Sequence, residues 1–127
     1  MDAGTGVDLV ALRSAVTDFL ACEAQSVDEH DWDTWLALHE EAVEYWIPAW
    51  DSEHEATSDP QGEMSLIYYK GRAGLEDRVF RLRTARSAAS TPLPRTCHMV
   101  SHIRVTPNAD GTLGVKTRWT VDLFRKM

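Results

Sequence analysis

From about Val7 to Gln25, Leu9, Leu12, Val16, Phe19 and Leu20 recur at three- and four-residue spacing and line one face of an amphipathic helix. Ser26-Val27-Asp28-Glu29 has the capping-box pattern, a hydroxyl followed three residues later by an acid. It predicts a second, short helix to about His39, with Trp32, Trp35 and Leu36 on its buried side. Val43, Tyr45 and Ile47 then alternate with Glu44, Trp46 and Pro48, so a strand begins here. Pro48 cannot donate to a ladder, so that strand ends, bulges or lies on an edge there. Asp51 to Glu63 holds five acids, no base and no period, and reads as a polar loop.

Met64 to Tyr69 is apolar enough for one strand. Arg72 to Thr84 reads as a third helix, with Leu75, Val79 and Leu82 inward and Asp77 four residues before Arg81. Residues 85–97, rich in Ser, Pro and Ala, read as a proline-bearing loop. Two long strands follow. The first sets His98, Val100, His102 and Arg104 on one side and Met99, Ser101, Ile103 and Val105 on the other. After a turn at Pro107 to Gly111, Leu113, Val115, Thr117, Trp119, Val121 and Leu123 form an apolar side opposed to Lys116, Arg118 and Asp122. The order predicts a single α+β domain over residues 1–127: helices on one face of a curved antiparallel sheet, enclosing a cone that can hold a ligand. The strand pattern runs on towards Met127, so the sheet's edge is expected to be covered by another chain or by further residues.

Composition narrows the functions this architecture can serve. With 43% apolar and 26% charged residues the chain is not globally disordered. No apolar run approaches the ~18 residues that span a membrane, and Met1-Asp2-Ala3-Gly4 lacks a secretory leader's basic and apolar regions. Cys22 and Cys97 make no disulfide framework, which fits a reduced, cytoplasmic setting. The net charge of −7 argues against nucleic acid as a partner. Its distribution says more. Residues 1–69 hold sixteen acids against Arg13 alone, a net of −15, while residues 70–127 hold twelve bases against four acids, a net of +8. Either the halves neutralise each other within the chain, or copies and partners dock head to tail.

Candidate chemistry is sparse. His98 and His102 are four residues apart, which pairs metal ligands on a helix but sets them about 13 Å apart on a strand. Two cysteines alone hold neither a structural zinc nor an iron–sulfur cluster. Asp31, at a helix start, and His98, inside the cone, are a candidate acid–base pair for proton abstraction or dehydration. The competing reading makes Asp31 a helix cap and His98 a satisfied core histidine. Trp46 and Trp50, beside a proline and a polar loop, are candidate interface anchors.

Residues 71–98, GRAGLEDRVFRLRTARSAASTPLPRTCH, carry an Arg-x-Arg-Thr-x-Arg-Ser-Ala…Pro-x-Pro-Arg-Thr run. Upstream stand Asp31-Trp32-Asp33-Thr34-Trp35-Leu36, Tyr45-Trp46-Ile47-Pro48 and Tyr68-Tyr69. Together, from about Leu9 to Val105, they resemble the β (small) subunit of aromatic-ring-hydroxylating dioxygenases, the benzoate, toluate and anthranilate branch above all. The resemblance implies the cone fold of scytalone dehydratase and nuclear transport factor 2, here shortened at its C-terminal end. It implies a chain without metal or catalytic residues, whose α-subunit partner carries a Rieske [2Fe-2S] cluster and a mononuclear Fe(II). It also implies a β homotrimer within an α3β3 assembly that cis-dihydroxylates an aromatic ring. By position in the motif, Arg83, Arg86 and Arg95 are candidates for pairing with acids across subunit boundaries, a task suited to arginine's planar fork. The alternative is a stand-alone dehydratase or isomerase of the same fold, with Asp31 and His98 as its acid–base pair.

Overall fold

The computed structural model describes residues 8–48, 65–88 and 95–124, without the side chains of 65–66 and 85–88. The chain divides into two compact units, Met1–Asp31 with Pro94–Met127, and Trp32–Leu93. The element order is α1 (Leu9–Asp28), α2 (Trp32–Ala37), β1 (Glu44–Pro48), β2 (Ser65–Lys70), α3 (Arg72–Ala88), β3 (Arg95–Pro107) and β4 (Leu113–Phe124). This is the α+β class that the pattern predicts. The expected loop at 51–63, with Trp50 before it, lies outside the described residues.

In the first unit, Asp8 caps α1 by accepting the Ala11 N–H at 3.0 Å. Val16 and Ala24 are buried, while Leu9 and Phe19 of the expected apolar stripe stay about half exposed. The helix then runs through the predicted boundary. Ser26 does not cap a new helix: its hydroxyl donates back to the Glu23 carbonyl at 2.7 Å, and the residue is buried inside α1. The helix ends two residues later at Asp28, and His30 beyond it takes a left-handed φ of 57°. The Asp31 N–H then reaches the Ser26 carbonyl at 2.7 Å and the His30 N–H reaches Val27 at 3.1 Å, a Schellman closure.

Strands β3 and β4 form an antiparallel hairpin, and α1 packs along β3. Their alternation is not continuous. The register steps from Ser101 opposite Arg118 to Arg104 opposite Lys116, so His102 and Ile103 together oppose Thr117. His102 takes a φ of 55° at this bulge. The side that faces α1 is therefore Thr96, His98 and Val100 before the bulge, then Ile103 and Val105 after it, and not His102 or Arg104. A left-handed residue at a bulge favours glycine. His102→Gly should raise stability by about 0.5 kcal/mol, and β-branched His102→Val should lower it by roughly 1–2 kcal/mol, read by urea denaturation. The reverse order, or the same sign for both, would refute the backbone assignment.

The apolar side of β4 shares the α1-facing side of the hairpin. Leu123 stands opposite Thr96, Trp119 opposite Val100 and Val115 opposite Val105. Within this unit α1 covers the β3 half, and Leu113, Val115, Trp119 and Leu123 remain exposed, Trp119 at 61%.

In the second unit, β1 and β2 pair antiparallel, Glu44 opposite Lys70 and Trp46 opposite Tyr68, with a register shift at Pro48. The core lies under α3, where Leu75 is 0% and Val79 1% exposed, and Trp35 of α2 is buried as well. Trp35 meets Trp32, His39 and Tyr45, with ring centroids 6.1, 4.7 and 6.0 Å away. The His39 Nδ1–H donates to the Trp35 carbonyl at 2.8 Å, closing the end of α2. The expected Asp77–Arg81 pair forms at 3.5 Å. The predicted loop 85–97 is a correction: α3 continues through Ala88 and β3 already begins at Arg95, since the Ala-Arg-Ser-Ala run is compatible with helix. At Gly74 a Cβ would stand 2.6 Å from Tyr69 Cδ1. Gly74→Ala should therefore lose about 1–2 kcal/mol despite alanine's better helix propensity, because α3 and β2 must part to admit it. A melting temperature equal to or above the parent's would contradict that contact.

Candidate functional site

The densest polar constellation of the first unit joins the end of α1 to the start of β3. Extending α1 past Gln25 puts Asp28 in line with Ala24, Ala21 and Thr17, on the helix face that meets the strand. Its Oδ1 accepts from the Thr96 hydroxyl at 2.8 Å and from His98 Nδ1 at 2.5 Å, and its Oδ2 accepts the His98 backbone N–H at 2.9 Å. Partial burial pushes the Asp28 carboxyl up, but the bonds from the His98 amide, the His98 ring and Thr96 outweigh it, leaving the group below its ordinary 3.8. Because both Asp28 oxygens accept, the proton between the pair sits on His98 Nδ1. The other ring nitrogen, Nε2, then accepts in the neutral imidazole and donates in the charged one.

The His98 ring lies 6.4 Å from Trp119, tilted by 32°. Beside it opens a cavity of about 220 Å³ between helix and strand, lined by Leu20, Ala24, Asp28, His98, Val100 and Ile103. An imidazole backed by a carboxylate at an apolar cavity can move a proton, and the same bonds clasp α1 to β3. The carboxylate on His98 is thus Asp28. Asp31, the acid that sequence reasoning set there, lies exposed just past the helix end, placed by the Schellman closure. The missed signal was the stripe Thr17, Leu20, Ala24 and Asp28 at three- and four-residue spacing.

The arginine candidates separate. Arg83 Nη2 reaches Asp33 Oδ1 at 2.9 Å within the second unit, both side chains exposed. Arg86 falls in the last turns of α3, its side chain outside the described residues. Arg95 opens β3, exposed and opposite Phe124. Trp46 is half-buried in β1, and Trp50 is outside the described residues. Among the described residues no three His, Cys, Asp or Glu side chains group as a metal site. Cys22 and Cys97 are exposed free thiols. No described helix is long and apolar enough to cross a membrane.

Residues 22–127 match the ring hydroxylating beta subunit family. The chain belongs to that family. As a ring-hydroxylating β subunit it is 43% identical over 111 residues to the toluate 1,2-dioxygenase subunit beta of Pseudomonas putida, covering 87% of this chain and 68% of that one. It is 44% identical over 108 residues to the anthranilate 1,2-dioxygenase small subunit of Acinetobacter baylyi, covering 85% of this chain and 66% of the relative. The chain thus spans about two thirds of the length of these relatives. Among solved structures, the beta subunit of the benzoate 1,2-dioxygenase from Burkholderia mallei superposes with a TM-score of 0.75 at 32% identity, covering 95% of this chain and 71% of that one. The fold is therefore that of dioxygenase β subunits, as the motif over residues 71–98 implies.

Proposed function

We propose that this β subunit is a non-catalytic scaffold of a Rieske-type aromatic-ring-hydroxylating dioxygenase. In this reading it assembles in the cytoplasm with an iron-bearing α subunit as α3β3 and supports cis-dihydroxylation of a benzoate- or anthranilate-like ring. The observation that carries it is the family match over residues 22–127, reinforced by relatives of the toluate and anthranilate enzymes. The reading gives the Rieske [2Fe-2S] centre and the mononuclear Fe(II) to the α subunit and no step to this chain. The test is co-expression with the α subunit of a benzoate- or anthranilate-type dioxygenase, followed by light scattering. A hetero-hexamer mass is the expected result; a chain that ignores α overturns the scaffold.

The Asp28–His98 pair beside its cavity favours a second reading, a stand-alone dehydratase or isomerase of the same fold. It requires turnover by the isolated chain that His98→Ala abolishes. Co-purification with α and full α-dependent activity in His98→Ala would exclude it.

A further inference from the structure

The cavity between α1 and β3 is walled by Leu20, Ala21 and Ala24 of the helix and by Val100 and Ile103 of the strand. The bulge brings Ile103 into the same wall as Val100, and the two alanines leave space that longer side chains would fill. At about 220 Å³ the cavity exceeds the roughly 150 Å³ of an apolar cavity that takes up benzene, so it has room for one ring with a substituent.

The polar atoms along it are nearly all spent. The Thr17 hydroxyl donates to the Arg13 carbonyl at 2.7 Å, and both Asp28 oxygens accept from Thr96 and His98. His98 lines the cavity with its Nδ1 committed to Asp28, and no hydrogen bond among the described residues engages its Nε2. A ligand therefore meets an apolar wall with one ring nitrogen to satisfy. A hydroxyl does so in either state of the imidazole, donating to the neutral ring and accepting from the charged one. A carboxylate would lose its water beside the like charge of Asp28. Trp119, opposite Val100 on β4, sets a second aromatic face 6.4 Å from His98 and is 61% exposed. Aromatic faces favour a flat ring beside them.

We propose that this cavity binds a small, uncharged phenol, its ring between α1 and β3 and its hydroxyl on His98 Nε2. Binding involves no turnover, so the proposal depends on neither function given above. The bound ring bridges the helix to the strand that Asp28 already clasps, and it stabilises that junction by mass action.

The experiment is calorimetric titration of the full chain, without α, with phenol, toluene and benzoate, folding being confirmed by circular dichroism. Phenol should bind with a Kd on the order of 0.1–1 mM, in keeping with its size. Toluene, which has the same shape but no hydroxyl, should bind about tenfold more weakly, and benzoate more weakly still. His98→Asn keeps a side-chain N–H for Asp28 but removes Nε2, and should bind phenol and toluene alike. Ala24→Met fills the cavity and should lose both. A folded parent that ignores phenol overturns the proposal, as does equal affinity for phenol and toluene, or benzoate bound tighter than phenol. Unchanged phenol affinity in either folded variant overturns it too. Should a variant fail to fold, the parent's His98 ring resonances decide: phenol must shift them more than toluene does, and equal shifts sink the assignment. Capture of α enters none of these readouts, so failure here leaves the scaffold reading standing.

Discussion

Asp28→Ala should lower the melting temperature by about 10 °C, the largest loss expected from any polar side chain of the first unit. One carboxylate there receives three bonds, from the Thr96 hydroxyl, the His98 amide and the His98 ring. Hydrogen bonds to a charged group contribute roughly 1.5–3 kcal/mol each when lost singly, and they share one acceptor, so about 2–4 kcal/mol is the sum expected. The loss falls where α1 is fastened to β3. Without it the helix end is held by apolar contacts at Val16 and Ala24.

The same carboxylate gives a pH signature. Its folded pKa lies below the ordinary 3.8, so its contribution is fully present above the unfolded value and is lost as pH falls through the lower, folded one. Urea midpoints of the parent should be flat in this respect at neutral pH and fall below about pH 4, and Asp28→Ala should lack that part of the fall. Parallel acid limbs for parent and variant would show that the clasp does not depend on the charge of Asp28.

The structure departs from the sequence pattern at particular junctions, each for a local reason. Spacing alone placed the face of α3, where Leu75 and Val79 are buried; on α1 it placed Val16, while Leu9 and Phe19 stay about half exposed. Helix ends did not read correctly. Ser26 looks like a cap from its neighbours, yet once buried its hydroxyl is satisfied by the Glu23 carbonyl and the helix continues. That three-residue extension decides which acid meets His98, so a small boundary error moved the candidate pair from Asp28 to Asp31. In β3 a strict two-residue period hid the bulge, although Val100, Ile103 and Val105 already show the shift of phase. The long-range motif of residues 71–98 was legible because side-chain order, unlike a boundary, is not renegotiated by packing. Which of its arginines finds an acid within the chain was not, since Arg83 and Asp33 are fifty residues apart.

Leu75→Ala should cost about 3 kcal/mol, comparable to the loss at Asp28 but in the other unit. Leu75 is fully buried in the first turn of α3, one turn from Val79, so no solvent fills the void and the cavity persists. Collapse is resisted on one flank, where Gly74 already holds α3 against the Tyr69 side chain. Phe80, the next residue after Val79, supplies the control. It is larger and equally apolar but 67% exposed, and Phe80→Ala should change stability by no more than about 0.5 kcal/mol. Thermal melts of the two variants decide whether burial or hydrophobicity alone sets the cost. Equal losses would mean that Phe80 is covered, by another chain or by residues beyond those described. Capture of α then separates the roles. Leu75→Ala should weaken it only as the folded fraction falls, whereas a loss of capture in a fully folded Phe80→Ala would make the outer side of α3 part of the subunit contact.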